Sequence, residues 1–130
     1  MKKFNHKQCF EFFNAVPKNL RWSWSARNSN SVVVTLWQDR FRRDDDGKLV
    51  YVRSHLSEKA LNGPAYAEMV ENLEFARRRC NGEFNVILAR AKDTETSPRQ
   101  IKECWPAPGL RMKVRSFNVT TGNLIAEALG

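Results

Sequence analysis

Cations and flat rings are the residues of this chain whose spacing could do chemistry, and that chemistry is binding: phosphate for the cations, bases for the rings. Arg90 and Lys92 share a face at the exit of an apolar run. Arg99 and Lys102 follow in a segment, Ser97-Pro98-Arg99-Gln100, that matches a helix capping box with proline in the first turn. Free amides at that helix start, joined to the four cations, would hold a phosphate. Asp93, Glu95 and Ser97 could instead satisfy the same amides internally. In Leu110-Arg111-Met112-Lys113-Val114-Arg115 the alternation turns Leu110, Met112 and Val114 inward and sets Arg111, Lys113 and Arg115 in an outer row. Such a row can track a phosphate backbone, or it can protect an edge strand from aggregation.

The rings are the second set. Arg21-Trp22-Ser23-Trp24-Ser25-Ala26-Arg27 alternates large and small residues, which places Trp22 and Trp24 on one face of a strand with Arg27 beside them. Trp105 lies in a proline-rich loop, Trp105-Pro106-Ala107-Pro108-Gly109, the placement that most favours exposure. Trp22, Trp24 and Trp105 are therefore the candidate base-stacking residues, with Arg90, Lys92, Arg99, Lys102, Arg111, Lys113 and Arg115 as the phosphate ligands. The plainer alternative is that Trp22, Trp24 and Trp37 fill the core of a small barrel.

Catalytic patterns are weaker. His6 and His55 stand in no metal-ligand spacing with cysteine or acid, no glycine-rich phosphate loop occurs, and the residues call for no metal and no cofactor. Asp39 with Asp44-Asp45-Asp46 could hold a divalent ion for phosphodiester cleavage, but acids beside an Asp-Gly pair read more simply as turn residues. Cys9, Cys80 and Cys104 are an odd number at wide spacing on apolar faces. They fit free, packed thiols of a cytoplasmic protein.

The elements that must position these groups follow from periodicity. Asn5 and Gln8 form a capping box for a helix running to about Val16, which would plug an open side of a sheet. Strands are expected over residues 21–27, 32–37 continuing through Arg43, 48–53, 84–91, 110–117 and 124–129, with hairpin turns at Asp46-Gly47 and at residues 120–123. Pro64 opens the best helix, with Tyr66, Met69, Val70, Leu73, Ala76 and Cys80 at helical spacing and Asn81-Gly82 at its end. Ile101 to Cys104 are expected in one or two helical turns. The fold class is α+β: a small curved or barrel-like mixed sheet of about six strands, two main helices and one short one, in a single domain over residues 1–130.

The balance of 22 Lys+Arg against 14 Asp+Glu leaves a formal charge of +8, and residues 1–43 alone hold nine basic residues against Glu11 and Asp39. An anionic partner fits that surface, as does simple solubility. No apolar run approaches the roughly 20 residues of a membrane span, and Met1-Lys2-Lys3 leads into polar residues, so no membrane partner is expected.

The strings Arg21-Trp22-Ser23-Trp24, Leu36-Trp37-Gln38-Asp39, Asn72-Leu73-Glu74-Phe75-Ala76, Ala91-Lys92-Asp93 and Ser97 to Lys102 resemble a small bacterial domain found alone in mobile or phage DNA and beside HNH-type nuclease modules. The resemblance implies a specificity or DNA-reading module of a restriction-like system; no nuclease half is present in it. Element order alone is similar to PUA-like barrels, which read modified bases or structured RNA. The expectation is a non-catalytic module that binds nucleic acid, DNA before RNA. The alternatives are a protein-interaction module, as a homodimer through a strand edge or with an acidic partner, and a metal-dependent nuclease using Asp39 and Asp44 to Asp46.

Overall fold

The computed structural model of the protein describes residues 4–54, 56–96 and 99–129; the sequence reading of Ser97, Pro98 and His55 lies outside them. Both halves of the expected capping box form: the Asn5 side chain accepts from the Gln8 amide at 2.8 Å, and the Gln8 side chain accepts from the Asn5 amide at 3.0 Å. Helix α1 (His6–Phe12) is shorter than its periodicity predicts, because Asn14 turns the chain in a left-handed conformation (φ 54°) that asparagine tolerates. Strands β1 (Ser25–Arg27) and β2 (Val32–Trp37) come next. A 3-10 turn over Gln38–Arg40 then separates β2 from β3 (Phe41–Arg43), where one continuous strand was expected. The hairpin at Gly47 (φ 78°) leads into β4 (Leu49–Arg53). A four-residue helix, α2 (Glu58–Leu61), precedes α3 (Pro64–Arg79), β5 (Glu83–Ala91), β6 (Ile101–Phe117) and β7 (Leu124–Ala128).

The class is α+β, as expected, with seven strands in one mixed sheet ordered β1-β2-β5-β6-β7-β4-β3. Only β2 and β5 run parallel; every other neighbouring pair is antiparallel. The sheet is curled but not closed. In a flat sheet β2 and β3 would lie five spacings, about 24 Å, apart. The chain joins them through a 3-10 turn over Gln38–Arg40, which covers only about 8 Å. The two ends of the sheet must therefore curl toward each other.

The short helix expected over Ile101–Cys104 is absent: those residues begin β6 and pair with β5, Ile101 opposite Ala91, Glu103 opposite Arg90 and Cys104 opposite Ala89. Pairing with a central strand outweighs a weak local helix signal, and with that helix goes the anion site expected at its start. Pro106 and Pro108 are tolerated inside β6 because β7 covers only Met112 to Phe117, so among the described residues no strand takes up their missing donors.

The sheet is covered on both faces. Val32, Val34 and Leu36 of β2 face a core with Met69, Leu73 and Ala76 of α3, while Val33 faces a second core with Cys9, Phe10, Ile87 and Cys104. This is why β2 and β5 are nearly continuous apolar runs. Among the described residues no helix is long and apolar enough to cross a membrane.

Candidate functional site

Where the two ends of the curled sheet approach, residues of β2 (Thr35, Trp37) and β4 (Tyr51, Arg53) share a cavity with the 21–24 turn, Arg99 and the start of α3. Its volume is about 880 Å³, within the roughly 300–1,000 Å³ typical of small-molecule sites. Among the described residues five rings line it, Trp22, Trp24, Trp37, Tyr51 and Tyr66, with four cations, Arg21, Arg53, Lys59 and Arg99, and no carboxylate.

The tryptophan wall is set from a distance. The 21–24 segment expected as a strand is a turn, and β1 begins only at Ser25. Glu68 of α3, buried at 3% exposure, accepts from the Lys18 amide at 2.7 Å and from the Ser23 hydroxyl at 2.5 Å. Those two bonds pin the turn, so Trp22 and Trp24 reach the cavity together although no strand carries them. The wall continues as a chain of rings: Phe10 stacks on His6 at 4.6 Å, His6 meets Trp24 edge-on at 5.8 Å, and Trp24 lies 5.0 Å from Trp37. The Arg99 guanidinium sits 5.3 Å from the Trp37 ring centre. It is held there by two bonds to Asp39, at 2.7 and 2.9 Å, and one to the Thr94 carbonyl at 3.0 Å. The same contact lowers the Asp39 pKa and raises that of Arg99.

His6 is the one basic ring in this chain of rings. Its Nε2 lies 2.8 Å from the Thr35 hydroxyl, and burial lowers its pKa to about 4, so it is neutral at pH 7. Burial also raises the pKa values of Tyr51 and Tyr66, which stay protonated. Arg53 lacks an acidic partner among the described residues: its Nε and Nη2 donate to the Gly122 carbonyl at 3.2 and 3.1 Å, and its Nη1 approaches the Met69 sulfur at 3.2 Å. Gly122 (φ 81°) is required here, since a Cβ at that position would lie 2.8 Å from Leu56.

Comparison with known protein families, curated proteins and solved structures finds no match. What the site does is read from its own residues.

Of the residues the sequence singles out, Trp22, Trp24 and Arg99 meet in the cavity. Trp105 does not: it is half-buried in β6 opposite Leu88, in a strand and not a loop. Arg27 stacks on Phe75, 4.6 Å from its centre, and does not line the cavity. The expected alternation of β6 is present, Met112 being buried while Arg111 and Arg115 are exposed. The outer row, however, is interleaved with acids: Arg111 pairs with Glu83, Arg115 with Asp44 and Glu127, and at the end of β5 Arg90 pairs with Glu103. Lys92, Lys102 and Lys113 make no ion pair among the described residues. Asp44 accepts the Asp46 and Lys48 amides as a turn residue, and among the described residues no three His, Cys, Asp or Glu side chains gather as metal ligands. Cys9 and Cys104 are buried free thiols with sulfurs 3.7 Å apart.

Sequence reading missed Arg53, Tyr51, Tyr66, Arg21 and Lys59. Arg53 had one available signal, a charged residue closing an otherwise apolar strand, Leu49 to Val52.

Proposed function

We propose that the protein is a nucleic-acid-binding module that takes a base into the aromatic cavity. The observation that carries this reading is the lining itself: among the described residues, five rings and four cations with no carboxylate. Rings stack on any base, and guanidinium planes add to the stack, while cations offset the phosphate charge that accompanies it. Lys92 and Lys102, on either side of Arg99 in the chain, exposed and without ion pairs among the described residues, are suited to hold backbone phosphate. The resemblance to a domain of mobile DNA makes DNA the first ligand to test and suggests a specificity role, while the PUA-like order of elements suggests modified-base reading.

The test is a titration with short labelled single-stranded and duplex DNA and RNA at two salt concentrations, following anisotropy and tryptophan fluorescence together. Salt-sensitive binding with quenching is expected. Trp24→Ala should weaken it by about 5- to 150-fold, the range that one base stack contributes. No binding to any of these at low salt would overturn the reading. A protein-interaction role would then come first, favoured by the exposed apolar side chains of Phe12 at the end of α1 and of Val16 and Leu20 between α1 and β1.

A further inference from the structure

The cavity carries more positive charge than stacking alone requires, and the excess is concentrated at one place. Arg53 reaches from β4 to the first turns of α3, where its Nη1 lies 3.2 Å from the Met69 sulfur. It is partly buried, its partners are a carbonyl and a thioether, and among the described residues no carboxylate pairs with it. The charge of Arg40 also reaches Arg53, and the buried Arg40 Nε has no hydrogen-bond partner among the described residues, but Arg40 lies in the field of Asp39 and does not line the cavity. An anion in the cavity at Arg53 would supply the counter-charge that a carbonyl and a thioether do not.

The backbone beside Arg53 has the same polarity. Helix α3 begins at Pro64 behind Gly63, and no side chain caps it. Glycine at this position offers no side chain to form the cap. Gly63, Pro64, Ala65 and Lys59 all line the cavity. The positive end of a 16-residue helix therefore opens into the same space as Arg53.

Building on the base-binding reading above, we infer that this corner is a phosphate subsite. The cavity then takes a whole nucleotide unit, its ring against Trp24 and Trp37 and its phosphate at Arg53 and the start of α3. The same chemistry is offered by a nucleotide swung out of a strand and by a free nucleoside monophosphate.

Adenosine, adenosine 5′-monophosphate and a short single-stranded oligonucleotide, each titrated into the full chain with tryptophan fluorescence as readout, test this. The monophosphate is expected to bind at least about tenfold more tightly than the nucleoside, as charge-assisted hydrogen bonds to a phosphate imply. In Arg53→Met that gap should shrink to about twofold, and in Arg53→Lys it should be partly kept. The wild-type comparison stands even if Arg53→Met fails to fold. Tighter binding of the oligonucleotide than of the monophosphate identifies a strand as the source, and the reverse identifies a free nucleotide; both support the subsite. Equal affinity for nucleoside and monophosphate, with quenching by the oligonucleotide retained, would overturn the phosphate subsite alone. No quenching by any of the three would overturn the base-binding reading with it.

Discussion

Replacing Glu68 by alanine is expected to cost about 3 kcal/mol of stability, and to weaken nucleic-acid binding more than tenfold in the fraction that stays folded. The carboxylate is 3% exposed and accepts from both the Lys18 amide and the Ser23 hydroxyl, so its removal leaves two donors without a partner in a dry site. The tethers inside the turn remain: the Asn19 carbonyl still accepts from the Trp22 and Ser23 amides, at 3.2 and 2.8 Å. What is lost is the buried carboxylate link from this small unit to α3, which leaves the exposed Lys18–Glu71 ion pair and the Asn72–Ser25 hydrogen bond and loosens the placement of Trp22 and Trp24. Glu68→Gln keeps one accepting oxygen and should lose less on both counts. Denaturant unfolding and anisotropy titration of the two variants measure the effects separately. Unaltered affinity in Glu68→Ala would show that the tryptophan wall needs no such tether.

Acid should destabilise the protein through His6 in a window above that of its carboxylates. The sign follows from the two protonation states. Above pH 6.5 the imidazole is neutral both folded and unfolded and contributes nothing. As pH falls below 6.5 the unfolded chain takes up a proton that the native state refuses until about pH 4. The loss grows by about 1.36 kcal/mol per pH unit and reaches about 2.5 kcal/mol at pH 4.5. The native surroundings offer the imidazolium no charged partner: Phe10 and Trp24 meet the ring, and Thr35 bonds its Nε2. Asp39, Asp44 and Glu127 have depressed pKa values, so their contribution is present above the ordinary carboxylate range and is lost only as pH falls through the lower folded values. His6→Gln preserves a hydrogen-bonding group toward Thr35 and removes the titration. The difference in unfolding free energy between wild type and His6→Gln should therefore shift by about 2.5 kcal/mol between pH 7.5 and pH 4.5. An equal acid response in both proteins would place the proton uptake elsewhere.

Much of the scaffold was legible because its signals are local. The Asn5 and Gln8 cap, the turns at Gly47 and Gly122, the amphipathic run from Pro64 and the unbroken apolar runs of β2 and β5 all follow from residues within a few positions of one another. Where a local signal competed with pairing, it lost. Ile101 to Cys104 read as a helix start yet extend β6, since β5 supplies pairing partners for Ile101, Glu103 and Cys104 across a bulge at Lys102. Arg21 to Trp24 read as a strand yet form a turn, since Glu68, 45 residues beyond Ser23, takes the Ser23 hydroxyl and the Lys18 amide.

By itself the sequence determined the class of material available for a site: a surplus of cations, four tryptophans, no grouped histidines, and an α+β order of elements. Tertiary structure alone decided which of these meet. Arg53 and Gly122 are 69 residues apart, Arg99 and Asp39 are 60 apart, and Trp24 touches Trp37 only because β1 and β2 pair antiparallel. The physical reason is that such contacts gain their energy only after the sheet has curled and the intervening loops have closed. Ion pairing on β6 is of the same kind. The alternation of Arg111, Lys113 and Arg115 is written in the strand, but the acids that neutralise two of them arrive from β5, β7 and the turn before β4.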